Sequence, residues 1–103
     1  MDERPVLTVF RSRLRDDNGD EYEATATRMD ELARAMPGFV DFKTFTADDG
    51  ERVSIIEFDS PESHTAWRGD PRHRAAQQRG RQEWYAEYRI QVCTLEREHS
   101  FRH

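Results

Sequence analysis

The chain has 103 residues, of which 36% are charged and 35% hydrophobic, and its formal net charge at pH 7 is −5. This length suits one domain with one core, and the acidic balance argues against nucleic acid or a membrane surface as the main partner. Cys93 is the single cysteine, which excludes an intrachain disulfide and indicates a reducing compartment. The chain shows no apolar signal segment near Met1 and no long apolar run, so we expect a cytoplasmic protein.

Seven elements are predicted in chain order. Strands are predicted over residues 6–13, 39–47, 52–58 and 87–96, and helices over 20–36, about 61–68 and 71–79. The strands are rich in β-branched and aromatic residues, and the first helix repeats apolar residues at helical spacing. Asp20 and Glu23 resemble a capping box, whereas Ser60 and Asp70 are N-cap residues that each precede a proline.

The order β-α-β-β-α-α-β predicts an α+β, ferredoxin-like fold, with a four-stranded antiparallel sheet and helices on one face. We expect a single domain over residues 1–103, with its core over about 5–97 and a tail over 98–103. Both faces of the sheet carry apolar side chains, yet the helices can cover only one of them. The other face would be a large exposed apolar patch on a monomer, so we expect a homodimer.

Residues 66–85 concentrate five arginines, a histidine and two tryptophans. Asp70 and Glu83 interrupt the arginines and no nucleic-acid recognition motif is present, so the arginines are interpreted as a solvated helix surface. His64 and His73 do not have the spacing of a common zinc site, and we expect no metal.

Trp67 and His64 lie on much the same face of the second predicted helix. Trp67 is either a core anchor or one wall of a pocket between the helices and the sheet. His64 is either a surface group or a general base. Trp84, Tyr85 and Tyr88 are assigned to core and interface packing, with a role in the pocket as the alternative.

Three passages carry a resemblance to a known family: "MPGFVDFKTF" after the first helix, "IIEFDSPESHTAW", and "DPRHRAAQQRGR". With the element order, they make the chain resemble the antibiotic biosynthesis monooxygenase family over nearly all of residues 6–97. The resemblance implies a dimeric α+β barrel. It says less about chemistry, because this fold hosts several activities.

One branch of that family degrades haem. It uses an asparagine on the first strand, a tryptophan on the second helix and a haem-ligating histidine on the third. Here the tryptophan is matched by Trp67, but the other two places fall at Ser12 and Gln77, with His73 one turn away. Glutamine is a poor ligand for haem iron compared with histidine.

A second branch oxidises polyketide phenols to quinones without a metal or flavin. It has an asparagine and a tryptophan on the third strand and a tyrosine on the following helix. Those places fall at Ser54, Phe58 and His64, so none of the three residues is retained. Such a reaction needs a base, an aromatic-lined pocket and donors for the substrate anion.

The leading hypothesis is cofactor-independent oxygenation of a small aromatic or enolisable metabolite. His64 is the candidate base, Trp67 the substrate wall, and Arg68 or His73 the partner of the substrate anion. By the same resemblance, the substrate-binding positions include Ser12, Ser54, Phe58 and Gln77. One alternative is a haem-binding or haem-degrading protein, and the other is a non-catalytic ligand-binding or accessory dimer.

Overall fold

The computed structural model describes residues 3–103. It contains strands β1 (Val6–Leu14), β2 (Phe39–Thr46), β3 (Arg52–Phe58) and β4 (Tyr85–Thr94), helices α1 (Glu21–Ala35), α2 (Pro61–Arg68) and α3 (Pro71–Arg79), and a π-helical segment (Gly80–Trp84). The predicted element order is confirmed, although β4 begins and ends two residues earlier than its predicted range of 87–96. Within residues 3–103, no helix is both long and apolar enough to cross a bilayer.

The four strands form one antiparallel sheet in the order β2-β3-β1-β4, which confirms the ferredoxin-like α+β fold. Directly opposed residues on paired strands share one face of a sheet. Thr8 and Ser12 of β1 lie on the face that the helices cover, hereafter the inner face. Val9 and Arg11 alternate with them and lie on the opposite, outer face.

The irregular phenylalanine spacing of β2 has a local cause. Phe39 lies opposite Phe58 and Phe42 opposite Ile56, with a register shift between Phe39 and Asp41. This extra residue places both phenylalanines on the inner face, although they are three positions apart. Phe45 lies opposite Val53 and is therefore on the outer face.

The two short helices begin as their sequences predict. Ser60 accepts a hydrogen bond from the Ser63 amide at 3.2 Å, and Asp70 accepts one from the Arg72 amide at 2.8 Å. In each case the next residue is a proline at the first helical position. The capping box predicted at Asp20 was wrong, because its backbone is already helical (φ −92°, ψ −16°) and its side chain makes no capping bond.

The hydrophobic core lies at one end of the inner face. Its buried members are Ala33, Ile56, Phe58 and Trp67, with Met36, Phe39 and Phe42 packed against them. Gly38 closes the connection between α1 and β2 with φ of 83°, and a Cβ there would collide with the side chain of Ser63. The core thus joins α1, α2 and the ends of β2 and β3, while the rest of the inner face is not filled by side chains.

The outer face of the sheet has no layer of structure over it within the described chain. Its apolar side chains include Leu7, Val9, Phe45, Val53 and Ile55. Phe45 is 48% exposed and Ile55 is 36% exposed. The expectation that helices cover one apolar face and leave the other uncovered is therefore confirmed.

Candidate functional site

A cavity of about 510 Å³ lies between the inner face of the sheet and the helices. Its floor is built by β1, whose residues Thr8, Phe10 and Ser12 follow one another at every second position. Helices α1, α2 and α3 supply the walls and roof. The cavity therefore has two ends along β1, one at Thr8 and the other at Ser12.

His64 occupies the Thr8 end of the cavity. It is only 4% exposed, and its Nε2 lies 2.7 Å from the Thr8 hydroxyl oxygen. Burial lowers the pKa of His64 below its ordinary value, and the positive charge of Arg68 and the neighbouring His73 lower it further. The imidazole is therefore neutral at pH 7 and can accept a proton.

Trp67 stands beside His64 and belongs to both the core and the cavity. Its ring stacks on Phe58 with centroids 5.3 Å apart, and it also lines the cavity. The indole is 5% exposed, and among residues 3–103 its Nε1 has no hydrogen-bond partner. The two interpretations of Trp67 thus hold together, because it is a core anchor on one side and a pocket wall on the other.

His73 lies next to the Trp67 indole, with ring centroids 4.4 Å apart. Burial lowers the pKa of His73, and this effect is opposed by a hydrogen bond to the Arg68 carbonyl oxygen and by the charge of Asp70. The Nδ1 of His73 lies 3.4 Å from that carbonyl oxygen. With Nδ1–H as the donor, Nε2 is the nitrogen left to accept a proton.

Seven of the eight residues predicted for the site line this one cavity. They are Ser12, Ser54, His64, Trp67, Arg68, His73 and Gln77. The eighth, Phe58, does not line it, because it is fully buried beneath Trp67. Its place in the site is that of a support for the tryptophan.

The Ser12 end of the cavity is aromatic, and the sequence interpretation understated it. The described structure places Phe10, Tyr22, Trp84, Tyr85 and Tyr88 together there. The ring of Tyr22 is 5.6 Å from that of Trp84, and the ring of Phe10 is 5.5 Å from those of Tyr85 and Tyr88. The three aromatic residues at 84, 85 and 88 were assigned to packing, yet all three line the cavity.

Tyr85 is placed in this cluster by Gly80. A Cβ at Gly80 would overlap the Tyr85 ring, so the absence of a side chain there lets the ring lie against the π-helical segment. Burial raises the pKa of Tyr85, with a further rise from Tyr22, and the charge of Arg52 opposes both. Tyr85 is therefore a neutral phenol over the physiological pH range.

The arginines of residues 66–85 mostly lie outside the cavity. Arg72 pairs with Asp70 at 3.0 Å, which together with the capping bonds lowers the pKa of Asp70 to about 2. Arg79 pairs with Glu21 and Glu83 and lies over the ring of Trp84. Among these arginines Arg68 lines the cavity, at its edge.

In the part of the chain described, no three metal-binding side chains lie close enough to hold an ion.

Comparison with known proteins supports this architecture. Residues 5–79 match the model of the antibiotic biosynthesis monooxygenase family. The uncharacterized protein YqjZ of Bacillus subtilis (strain 168) is 32% identical over 99 residues, an alignment covering 96% of this chain and 87% of that protein.

Solved structures show the same fold at lower identity. Rv0793 of Mycobacterium tuberculosis superposes with a TM-score of 0.80 at 22% identity, covering 93% of this chain and 99% of the other. SnoaB of Streptomyces nogalater, a cofactor-independent oxygenase, superposes with a TM-score of 0.75 at 16% identity, covering 92% and 96%. A dimeric ferredoxin-like protein of unknown function from Thermobifida fusca superposes with a TM-score of 0.70 at 17% identity, covering 89% and 92%.

Proposed function

The chain belongs to the antibiotic biosynthesis monooxygenase family, and on that premise we propose that it is a cofactor-independent oxygenase of a small aromatic or enolisable compound. The observation that carries the proposal is the neutral His64, which is buried at one end of a largely apolar cavity and bonded to Thr8. A neutral base in an apolar cavity can remove a proton from a weakly acidic carbon or phenol. The likeness to SnoaB, a cofactor-independent oxygenase, adds support from the fold.

The reaction needs only the substrate, oxygen and a base. His64 takes a proton from an activated methylene group, and the resulting carbanion or enolate transfers electrons to dioxygen and forms a carbon–oxygen bond. The peroxide takes the proton back from His64 and then loses water as the second carbon–hydrogen bond breaks. The methylene group and one molecule of dioxygen thus give a carbonyl group and one molecule of water, so the carbon is oxidised and both oxygen atoms are reduced.

The remaining site residues take roles that follow from their positions. Trp67 provides an aromatic wall beside His64, against which a flat substrate stacks. Arg68 lies near the same end and stabilises negative charge on the substrate oxygen, and His73 does so once its Nε2 has taken up a proton. Ser54 and Gln77 offer hydrogen-bonding groups along the cavity.

We also propose that the protein works as a homodimer that covers the outer face. On this face Phe45 is the register partner of Val53, and Ile55 is the register partner of Val9. Phe45 and Ile55 are exposed, and the two valines are half-buried. A second copy is the partner that buries such a face on both chains at once. Because the cavity is on the other face, dimerisation leaves its floor and roof intact.

The test is oxygen consumption with anthrone and hydroxyquinol as probe substrates, corrected for their spontaneous oxidation. We expect the wild-type protein to accelerate oxygen uptake and His64→Gln to lose about a hundredfold or more of that acceleration. His99→Gln is the matched control, since His99 lies in the C-terminal segment after β4, outside the cavity. A wild-type rate equal to the spontaneous rate with both probes, or full activity in His64→Gln, contradicts the proposal.

Haem binding is the competing function, and the residues present do not match its donor set. The place of the iron ligand falls at Gln77, and His64 already bonds Thr8 through Nε2. A hemin titration followed by absorbance tests whether the protein binds haem. A Soret band that is lost in His73→Ala identifies a haem protein and overturns the oxygenase proposal, whereas silence in both assays leaves a ligand-binding or accessory dimer.

A further inference from the structure

Ser12 presents a hydroxyl to the cavity, at the end away from His64. The residue is 3% exposed and lines the cavity. A hydroxyl that faces a cavity can donate to or accept from a polar group of a ligand bound there. The Ser12 hydroxyl is therefore positioned for a group that enters the cavity.

Arg52 lies directly beside Ser12. The two residues are register partners on β3 and β1, so their side chains are neighbours on the inner face. The guanidinium of Arg52 lies over the Tyr22 ring, 5.3 Å from its centroid, and lines the cavity. Its ionic partner is Glu23 at 3.4 Å, whose side chain is 75% exposed, so this pair is long and screened by solvent.

Two arginines of β1 are held more tightly than Arg52. Arg11 makes two bonds to Glu51, at 2.9 and 3.1 Å, and Arg13 bonds both the carboxylate and the carbonyl of Asp49. Both of these arginines lie on the outer face. Arg52 faces the cavity without such a bidentate partner, which leaves its planar set of donors available for a carboxylate.

Aromatic rings surround this end of the cavity. Tyr88 is the register partner of Ser12 on β4, and its ring stacks with Phe10 at 5.5 Å. Flat apolar walls beside an arginine and a hydroxyl suit an aromatic group that carries a negative charge. Because Thr8 and Ser12 are four residues apart on one strand, the two ends of the cavity are roughly 13 Å apart.

We propose that Arg52 and Ser12 form a carboxylate-binding subsite at the far end of the cavity, and that the ligand is an elongated aromatic acid. The orientation of the ligand in the cavity rests on the proposed function. The carboxylate lies at Arg52, and the carbon or phenol to be deprotonated lies at His64. Arg52 and Ser12 are then specificity residues, and they take no part in the chemistry.

The experiment compares two probes by isothermal titration calorimetry at pH 7.5. One is a hydroxynaphthoic acid with its hydroxyl and carboxyl groups at opposite ends of the ring system, and the other is the matching neutral carboxamide. A charge-assisted pair predicts that wild-type protein binds the acid about tenfold or more tightly than the amide. The preference falls as salt is raised, because the site is open to solvent at Glu23.

Variants test whether the preference for the acid over the amide arises at Arg52 and Ser12. Arg52→Gln is expected to bind acid and amide within about twofold of each other, and Ser12→Ala to lose a smaller part of the preference. Arg74→Gln removes the same charge from an exposed position on α3 outside the cavity and should keep the full preference. His64→Gln should also keep it, which separates this inference from the proposed oxygenase activity.

Three results overturn the inference. The first is equal binding of acid and amide by the wild-type protein, and the second is no binding of the acid at all. Both of these use wild-type protein and do not depend on the folding of a variant. The third is an Arg52→Gln protein with an unchanged thermal transition that still prefers the acid.

Discussion

Individual residues on the two faces of the sheet depart in different ways from the usual distribution of polar and apolar side chains. On the inner face, Thr8 and Ser12 are 5% and 3% exposed, although each carries a hydroxyl. On the outer face, Phe45 and Ile55 are 48% and 36% exposed, although both are apolar. In a two-layer domain, the covered face is normally apolar and the open face polar.

The contrast fits two different uses, because the inner face borders a cavity and the outer face is the one that we propose a second copy covers. On the inner face, the Thr8 hydroxyl bonds His64 and the Ser12 hydroxyl faces the cavity, so both lie beside the space for a ligand. Exposed apolar groups gathered on one open sheet face are typical of a surface that a partner covers. The difference thus separates a ligand-binding face from an assembly face on a single layer of strands, and the following predictions test that separation.

The largest expected effect is on assembly. Ile55 lies between Val9 and Lys43 at the middle of the outer face. Ile55→Arg places a charge where two copies meet, and we expect the dimer to become a monomer, as measured by light scattering after size-exclusion chromatography. Ala24→Arg adds the same charge to the exposed surface of α1 and should leave the dimer intact. A wild-type monomer, or a dimeric Ile55→Arg protein, refutes the assignment of the outer face.

The next effect concerns the core end of the inner face. Trp67→Ala removes the indole that stacks on Phe58, and we expect it to lower the free energy of unfolding by about 3–5 kcal/mol. Trp67→Phe keeps an aromatic ring and removes the unpartnered Nε1, so it should cost clearly less. Urea denaturation measures both. Equal losses in the two variants would show that the indole nitrogen has a partner in the folded protein.

A smaller effect is the pH dependence of stability. Burial holds the pKa of His64 below its ordinary value of 6.5, so the unfolded chain binds a proton more readily than the folded one. Stability is therefore fully present above pH 6.5 and falls as the pH drops below it, until the lower folded-state pKa is passed. His73 contributes in the same direction.

Urea denaturation between pH 7.5 and 5.5 measures this slope. His64→Gln cannot gain that proton and should show a shallower fall in stability, whereas His99→Gln should follow the wild type. A wild-type protein whose stability rises as the pH falls through this range is inconsistent with a buried neutral His64.

The smallest predicted effect is on the turnover number, and it comes from removing the Thr8 hydroxyl that bonds His64. Thr8→Val keeps the shape of the side chain but removes the partner of His64 Nε2, which lies 2.7 Å away. We expect the turnover number to fall roughly fivefold with little change in KM, because one hydrogen bond of about 1 kcal/mol positions the base. Thr8→Ser restores the hydroxyl and should recover most of the rate. Undiminished turnover in Thr8→Val would show that Thr8 does not position His64 for the reaction.

Much of the fold could be predicted, because it depends on local signals. Ser60-Pro61 and Asp70-Pro71 mark the starts of α2 and α3 through bonds within one turn of each helix. The prediction failed at Asp20, where the residue spacing was suitable but the backbone was already helical. The start of β4 was placed too late because the π-helical segment at Gly80 has no clear sequence signal.

The site was predicted in part. His64, Trp67 and His73 follow from helical spacing and from the family resemblance, and all three line the cavity. Phe58 was named for the site but supports Trp67 from beneath, since strand alternation gives a face and not a depth. Arg52 and Thr8 were missed because their roles depend on register partners and a hydrogen bond distant in sequence.

The sequence by itself determined the element order, the starts of the short helices and the presence of apolar side chains on both faces of the sheet. These features depend on residue periodicity and on caps formed within a few positions. The tertiary structure decided which face the helices cover, that Ser12 and Arg52 lie side by side, and that His64 reaches Thr8. Such contacts join residues far apart in the chain, and their geometry is set by strand register and helix packing, which local periodicity does not specify.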